Sequence, residues 1–261
     1  MTPTVILAGG KAKPDLVAVT GQTNRAMVVV NGRTLLACVA DAIAAAGSDG
    51  EPLGPITVIG DVPQSSVYDC LPDSGDFVEN IFAGLGAYPD APYVLISTAD
   101  LPFLTAASVA DFVQGATEIA ERDRAGIVMP IIPVESCYAR YPGVKRTALR
   151  VAEGHYTTGN LALIRPEFLL ANRQRIAGGY AARKSPLALA RMLGSGTILR
   201  LLLSQKVSPR YLTIPLLEAR VGTLLGGTAR AYLCSYPEIA TDLDRPSDFA
   251  ALGIGTIAQP S

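Results

Sequence analysis

A carboxylate at the end of an apolar run is the feature of this sequence that points most directly to chemistry. Asp100 follows the run from Tyr93 to Ser97 and is succeeded by Leu101-Pro102. Proline favours extended backbone in the residue before it, so this segment would hold the carboxylate at the end of a strand. A fixed carboxylate is a hard oxygen ligand for Mg²⁺, which proteins usually bind through one or two carboxylates together with substrate phosphates. The alternative is an aspartate that caps a helix or a turn.

A second source of carboxylates is Thr241-Asp242-Leu243-Asp244-Arg245-Pro246. Asp242 and Asp244 share a face if this segment is extended, because side chains alternate along a strand. We therefore expect one of them to join Asp100 as a metal ligand. The choice between them stays open, since one of the two, or Asp248, could instead cap the last helix.

The first strand and the turn after it predict a site for an anion. Val5-Ile6-Leu7 is followed by Ala8-Gly9-Gly10, which is how a buried parallel strand opens into an anion-binding loop. Glycines let backbone N–H groups approach a phosphate closely. Lys11 and Lys13 add positive charge beside the turn. A tight turn that binds nothing is the alternative.

Other active-site signatures are missing. No GxGxxG follows the first strand, and a P-loop at Gly32-Arg33-Thr34 would need glycine at Met27 and lysine at Arg33. The chain has no GxSxG motif, and its one histidine, His155, argues against a Ser-His-Asp triad. We expect His155 to be structural or to lie at the rim of a site.

The first half of the chain alternates between strand and helix patterns. After a predicted long loop over residues 11–24, Asn31-Gly32 indicates a turn, and Thr34 is placed to cap a helix that runs to about Ala46. The remaining elements predicted here are strands Ile56–Ile59, Tyr93–Ser97 and Gly126–Pro130 and helices Phe77–Tyr88 and Ala106–Arg122. This alternation predicts an α/β fold with a mostly parallel sheet and helices on both faces. Ligands of such sheets lie at the carboxyl ends of strands, where Gly9-Gly10 and Asp100 both fall.

The alternation stops after residue 130. The pattern predicts a short helix, then two extended runs around a turn-rich stretch from Glu153 to Asn160, then several helices and a last strand. The extended runs are Lys145–Val151 and Leu161–Arg165, the helices are Pro166–Ile176, Ser185–Leu193, Thr197–Gln205 and Leu216–Leu225, and Ala229–Cys234 is the last strand, before a helix from Ser247. We interpret residues 1–261 as one domain with a substrate or lid insertion at about 131–228.

Composition sets the class of protein. Of 261 residues, 49% are hydrophobic and 17% charged, which predicts a sizeable core. A net charge of −1, no tryptophan and 6% aromatic residues give no reason to expect nucleic acid as a partner. The four cysteines are scattered without a zinc pattern. Because the sequence shows neither a signal peptide nor a membrane-spanning run, we expect a cytoplasmic protein without a membrane partner, either a monomer or a homodimer.

Several of these motifs together resemble the MobA-like nucleotidyltransferases. They are LAGG at 7–10, Arg25-Ala-Met with Asn31-Gly-Arg-Thr-Leu-Leu, Asp100-Leu-Pro-Phe-Leu, and Asp242-Leu-Asp-Arg-Pro-Ser-Asp. That family includes molybdenum cofactor guanylyltransferase and the cytidylyltransferase of isoprenoid synthesis. The resemblance implies the GT-A, or nucleotide-diphospho-sugar transferase-like, fold: three α/β/α layers around a mostly parallel mixed sheet.

The resemblance also implies roles for individual residues. Arg25 stands where the family has a phosphate-binding lysine, so Arg25, Lys11 and Asp100 are the predicted catalytic residues. The predicted nucleotide-binding residues are Leu7, Ala8, Gly9, Gly10, Asn80 and Asp100. The predicted Mg²⁺ ligands are Asp100 with Asp242 or Asp244. Thr158, Gly159 and Asn160 match a loop that borders the substrate.

The insertion carries basic residues suited to an anionic acceptor. Lys145, Arg146, Arg183 and Lys184 are basic, and Thr157 to Asn160 supply hydroxyl, amide and backbone groups. Arg146 and Lys184 are therefore predicted to bind the acceptor, together with the 158–160 loop. The alternative is that these charges form a solvated face.

The predicted function is Mg²⁺-dependent transfer of a nucleoside monophosphate from an NTP to a phosphorylated small molecule, with release of pyrophosphate. A sugar-transferring enzyme of the same fold and an activity of the molybdenum cofactor guanylyl- or cytidylyltransferase type are alternatives. A third is a non-catalytic nucleotide-binding protein. It is favoured by arginine in place of lysine at Arg25, since the two differ in geometry. The loop between Gly10 and Arg25 is a second departure from the family, because it is longer than the family's compact signature.

Overall fold

The computed structural model describes residues 1–47, 53–182 and 194–254. Its strands are β1 Thr4–Leu7, β2 Val29–Val30, β3 Arg33–Thr34, β4 Ile56–Ile59, β5 Asp69–Leu71, β6 Val94–Thr98, β7 Ile127–Pro133, β8 Leu149–Val151, β9 Gly154–Thr158, β10 Leu161–Ile164 and β11 Ala229–Leu233. Its helices are α1 Pro14–Thr20, α2 Leu35–Ala44, α3 Phe77–Gly86, α4 Ala106–Asp123, α5 Val134–Arg140, α6 Pro166–Ala171, α7 Arg173–Ala182, α8 Ser195–Lys206, α9 Ile214–Leu225 and α10 Pro246–Ala251.

A mixed sheet forms the centre of the described structure. Its strand order is β5-β4-β1-β6-β10-β7-β9-β8, with β11 paired to β7, which makes nine strands. Only β9 and β10 oppose the others, so seven of the nine run in one direction. The predicted mostly parallel sheet is confirmed.

Helices cover both faces of the sheet. Successive residues of β1 point to opposite faces, so the clusters they join show which helices pack on each side. Ile6 belongs to one apolar cluster with residues of α2 and α4, whereas Val5 and Leu7 belong to another with residues of α3 and α6. The predicted three α/β/α layers are thus confirmed. None of the described helices combines the length and apolarity needed to cross a bilayer.

The helices that lead back from the first strands begin at capping side chains. The Thr34 hydroxyl accepts a hydrogen bond from the backbone N–H of Ala37, as predicted, and the Asp76 carboxylate accepts from Val78 and Glu79. Asn31 and Gly32 have positive φ angles of 50° and 80° in the β2–β3 turn, which favours these two residue types.

Two features of the chain bring the site residues to the carboxyl end of the sheet. β9 and β10 both pair with β7, but the register shifts by two residues between them, at Gly159-Asn160. The second feature is the packing of α1 on the C-terminal segment, where Leu16, Leu243 and Phe249 share one buried cluster. This packing brings residues near position 244 beside the N-terminal loop.

Three predictions of local structure were wrong, and one strand was missed. Residues 11–24 are not a continuous loop, since α1 lies within them, and the turn-rich stretch Glu153–Asn160 contains β9. The strand β5 was not predicted, and the helix predicted at Pro166–Ile176 is divided between α6 and α7. The predicted helix Ser185–Leu193 lies outside the described residues. The predicted extended run Lys145–Val151 is a strand only at Leu149–Val151, and the other elements fall close to their predicted bounds.

Candidate active site

Asp100 lies just beyond β6 and is almost completely buried, with 6% of the residue exposed. Its Oδ2 is 3.1 Å from Nη2 of Arg25, whereas its Oδ1 has no hydrogen-bond partner among the described residues. The backbone carbonyl of Asp100 accepts a hydrogen bond of 2.9 Å from the N–H of Leu243. The strand end is therefore tied to the C-terminal segment, and the buried Oδ1 is left without a partner in the described ranges, although Asp100 lines neither of the two cavities that adjoin Arg25 and Asp242.

Asp244 is held between two cations from the N-terminal loop. Lys13 Nζ donates to its Oδ2 and Arg25 Nη1 to its Oδ1. Arg25 therefore bridges Asp100 and Asp244. Asp248 is the aspartate that caps the last helix. Its Oδ2 accepts hydrogen bonds from the backbone N–H groups of Asp244 at 2.9 Å and Arg245 at 2.8 Å, at the start of α10.

Asp242 pairs with a basic residue that the sequence predicted to bind the acceptor. Arg146 Nη1 donates to Asp242 Oδ1 at 2.7 Å, and the Arg146 side chain is only 9% exposed. Its Nε and Nη2 have no hydrogen-bond partner in the described structure. A buried guanidinium with unsatisfied donors is costly unless a ligand completes them.

Burial and neighbouring charges shift the pKa values of the two carboxylates that contact Arg25 in opposite directions. Burial raises the pKa of Asp100, with a smaller contribution from the negative charge of Asp242, and Arg25 only partly opposes the rise. Burial also acts to raise the pKa of Asp244, but the hydrogen bond from Lys13 and the charge of Arg25 outweigh it, so that this pKa is lowered. Asp244 thus stays ionised in its ion pairs, whereas Asp100 gains most from added positive charge.

The carboxylates do not form a ready-made metal cage. Within the described ranges, no three Asp, Glu, His or Cys side chains are grouped so that they could hold a metal ion. Mg²⁺ needs only one or two carboxylates when substrate phosphates supply further ligands. The unpartnered Oδ1 of Asp100 fits that requirement, with Asp242 as the nearby second carboxylate, whereas both oxygens of Asp244 are bonded to cations.

The glycine turn after β1 packs closely against two charged side chains. A Cβ on Gly9 would lie 2.5 Å from Oδ1 of Asp73, and one on Gly10 would lie 3.2 Å from Nη2 of Arg25. The Arg25 N–H donates to the Gly10 carbonyl at 2.9 Å. Side chains at either glycine would therefore displace charged groups of the site.

Asn80 organises the loop above this turn. Its Nδ2 donates to Asp73 Oδ1 at 2.6 Å, and its Oδ1 accepts from the N–H of Ser74 at 2.9 Å. Asp73 was not predicted from the sequence. The only local signal is a turn, since the Gly75 N–H donates to Asp73 Oδ1, and a turn does not reveal that the carboxylate lies over Gly9.

A cavity of about 1170 Å³ lies over the glycine turn. Among the predicted residues, it is lined by Leu7, Gly9, Gly10, Lys11, Arg25 and Asn80. Ala8, by contrast, is 1% exposed and packs in the core. Phe77 and Tyr180 stack at the wall of this cavity, with ring centroids 5.0 Å apart, so α7 contributes to the site. We call this space the nucleotide-side cavity.

The family model for the MobA-like NTP transferase domain matches residues 4–141, which is more than half of the chain. The chain belongs to the MobA-like NTP transferase family. The predicted family is confirmed, and the protein is an enzyme, a nucleotidyltransferase of a family that uses an NTP as substrate. The match ends before Arg146 and Asp242.

Solved structures extend the likeness over nearly the whole MobA-like chain. A hypothetical transferase from Thermus thermophilus is 33% identical, with a TM-score of 0.81 over 95% of this chain and 99% of that one. The 2-C-methyl-D-erythritol 4-phosphate cytidylyltransferase, also from Thermus thermophilus, is 17% identical, with a TM-score of 0.51 over 97% of each chain. CMP:2-keto-3-deoxy-manno-octonic acid synthetase complexed with CTP is 12% identical, with a TM-score of 0.55 over 96% of each.

The last two similarities show the fold alone. A search of the curated proteins gave no significant match.

A second cavity of this enzyme, of about 630 Å³, is lined by Asp244, the ion-pair partner of Arg25. We call it the acceptor-side cavity. It is lined by Lys145, Arg146, Thr157, Thr158, Asn160 and Asp242, among others. Gly159 instead packs inward, since a Cβ there would lie 2.6 Å from Cγ2 of Ile239. Lys184 and Arg183 lie outside the described residues.

His155 lies apart from these groups. Its Nδ1 is 3.5 Å from Oε1 of Glu135, and its side chain is 42% exposed. It lines neither of the two cavities of the MobA-like enzyme. This surface position agrees with the structural or rim role that we expected.

Proposed function

We propose that this nucleotidyltransferase moves a nucleoside monophosphate from an NTP to a phosphorylated small molecule and releases pyrophosphate, with Mg²⁺ as cofactor. An oxygen of the acceptor phosphate would form a bond to the α-phosphorus. The bond from the α-phosphorus to the oxygen bridging it to the β-phosphorus would break, and pyrophosphate would leave with the electron pair. A phosphate oxygen is already anionic, so no general base is required.

One observation carries this proposal. The buried Asp100 carboxylate has an unpartnered Oδ1, and its Oδ2 pairs with Arg25, which lines the nucleotide-side cavity. Asp100 and Asp242 would hold Mg²⁺, which when bound supplies positive charge to a triphosphate. Positive charge held beside a triphosphate stabilises the charge that develops as the nucleoside monophosphate is transferred.

On the nucleotide side, the chain's own groups would bind and orient the triphosphate. The backbone of Gly9-Gly10 would approach its oxygens, and Arg25 and Lys11 would stabilise the charge that develops on the leaving pyrophosphate. Arg25 is already oriented for this role by Asp100 and Asp244. Preorganised donors need little rearrangement during the reaction.

On the acceptor side, Arg146 would hold the attacking phosphate. Its Nε and Nη2 are buried and unpartnered, and its Nη1 is fixed by Asp242. Thr158 and Asn160 line the same cavity and would bind the rest of the acceptor. We further propose that residues 131–228 are an insertion in a single domain. Its part is to place Arg146 opposite the glycine turn.

The direct test is pyrophosphate release by the full-length chain. Each of the common NTPs is combined with phosphorylated polyols, sugars and alkyl alcohols, with and without Mg²⁺. Polyol phosphates belong in this panel because the name of one structural neighbour, the erythritol 4-phosphate cytidylyltransferase, contains one. We expect release that requires both an acceptor and Mg²⁺. Release that is independent of acceptor, or undiminished by EDTA, would contradict the proposal.

A further inference from the structure

An apolar crevice of about 270 Å³ lies between the sheet and α9. The sheet side is formed by alternate residues of β7, namely Ile127, Met129 and Ile131, which share one face. The helix side is formed by Ile214, Leu217 and Val221, at positions i, i+3 and i+7. Leu149, Val151 and Tyr156 close it on the side of β8 and β9.

Small residues on β11 keep the crevice open. Ala229 pairs in register with Ile127, and Ala231 with Met129, so both alanines lie on the crevice face. A larger residue at either position would fill the space below α9. Met129 is 36% exposed and Val221 is 37% exposed, so the crevice is open to solvent at an apolar edge.

Two of the polar groups beside the crevice already have partners. The N–H of Ala231 donates to Oε1 of Glu218 at 2.8 Å, and Nε of Arg230 donates to Oδ2 of Asp123 at 2.7 Å. A ligand in this space therefore meets apolar side chains and few unsatisfied donors or acceptors. Its favourable contribution would come from removing apolar surface from water.

The crevice adjoins the acceptor-side cavity. Thr157 and Thr158 line both spaces, and both belong to β9. The acceptor-side cavity holds Arg146, a buried side chain with two unpartnered nitrogens, which is suited to a phosphate. An anion-binding group and an apolar slot thus adjoin at the same pair of threonines.

We propose that the acceptor is an amphiphilic phosphate, with an apolar alkyl or ring group in the crevice and its phosphate at Arg146. This inference rests on the proposed function and names the class of acceptor within it. The adjoining cavities favour one ligand that spans both, because neither space alone matches both an anion and an apolar group. A second copy of the chain seated on the crevice is the competing occupant.

Binding is tested by calorimetry on the full-length protein with inorganic phosphate, methyl phosphate and hexyl phosphate. We expect hexyl phosphate to bind at least about tenfold more tightly than methyl phosphate, because several methylenes leave water. Ala231→Phe fills the crevice, and Met129→Lys places an ammonium at its partly exposed edge. Both should remove the preference for hexyl phosphate and leave binding of inorganic phosphate unchanged. Ala83→Phe, an exposed position on α3, is the control and should keep the preference.

Equal affinities of the wild type for methyl and hexyl phosphate would overturn the inference. A preference for hexyl phosphate that survives in both folded crevice variants would also overturn it. So would a change in sedimentation mass in both variants, because that result would assign the crevice to a second copy of the chain. These readouts do not depend on turnover. Failure of the proposed function would appear separately, as no pyrophosphate release with any acceptor, whereas turnover of polyol phosphates without any advantage for hexyl phosphate would contradict the inference alone.

Discussion

The nucleotide-side and acceptor-side cavities meet at one set of ion pairs but are built differently. The nucleotide side centres on a local turn, Gly9-Gly10, close after β1, to which Arg25 and Asn80 add side chains from other segments. The acceptor side is assembled from distant segments, since Arg146 reaches Asp242 across 96 residues of sequence. The glycine turn therefore depends mainly on local sequence, whereas the acceptor side depends on how the second half of the chain packs.

The cations on the two sides also differ. Arg25 forms ion pairs with both Asp100 and Asp244, and Lys13 pairs with Asp244. Arg146 pairs with Asp242 through one nitrogen and keeps two buried nitrogens without a partner in the described ranges. We infer that the nucleotide side is preorganised in the free enzyme, whereas the acceptor side is completed by its ligand.

Substitution of Arg25 should cause the largest loss among the cations. Arg25→Ala removes a charge-assisted contact to phosphate, and we expect NTP affinity or turnover to fall by roughly ten- to hundredfold. Arg25→Lys should be intermediate, because one ammonium does not reproduce the fork that reaches Asp100 and Asp244 together. NTP titration and steady-state kinetics measure both effects. Unchanged kinetics in a folded alanine variant would place Arg25 outside the site.

Substitution of Arg146 should separate the two cavities. Arg146→Ala is expected to raise the KM of the acceptor by about tenfold and to leave the Kd of the NTP unchanged, because Arg146 lines the acceptor-side cavity and does not line the nucleotide-side cavity. Lys145→Ala is the matched control: Lys145 lines the same cavity but is exposed, so its removal should have a much smaller effect. If Arg146→Ala weakens NTP binding and spares the acceptor, the two sides are assigned in reverse.

The packing at the register shift between β9 and β10 can be tested through the free energy of unfolding, with a smaller expected effect. In Gly159→Ala the new Cβ would lie 2.6 Å from Ile239 and 2.9 Å from Pro130, and we expect a loss of about 1–3 kcal/mol in the free energy of unfolding. In Gly178→Ala, within α7, the Cβ meets nothing within 4 Å, so this variant should be slightly more stable than the wild type. Urea unfolding compares them. Equal midpoints for the two variants would show that Gly159 is not required by packing.

The sequence predicted the strands and the helix cap that support the nucleotide side, because their signals are local. Ile56–Ile59 is the strand β4 as predicted, Thr34 caps α2, and Asp100 follows the strand β6. Each of these depends on residues within a few positions of one another, such as an apolar run, a capping hydroxyl or a proline. The same local signals were enough to predict the fold class.

The features that were missed depend on contacts far along the chain. The short helix α1 is supported by Leu16, which packs with Leu243 and Phe249, and no periodicity within seven residues reveals that. β9 is polar and contains glycine and threonine, but pairing with β7 and β8 makes it a strand. The pairing of Arg146 with Asp242, and the position of Asp73 over Gly9, likewise follow from the packing of whole elements.

The most direct test of this account is the binding of an NTP to Asp100→Asn, measured by calorimetry with and without Mg²⁺. The substitution keeps the shape of the side chain and the backbone bond to Leu243, so the fold should be retained. Asp90→Asn, an exposed position before the same strand, is the control. We predict that Mg²⁺ strengthens NTP binding to the wild type and the control but not to Asp100→Asn, and that turnover of this variant falls by about 100-fold or more. If Asp100→Asn binds NTP with Mg²⁺ as tightly as the wild type and turns over normally, Asp100 does not hold the metal and the account is wrong.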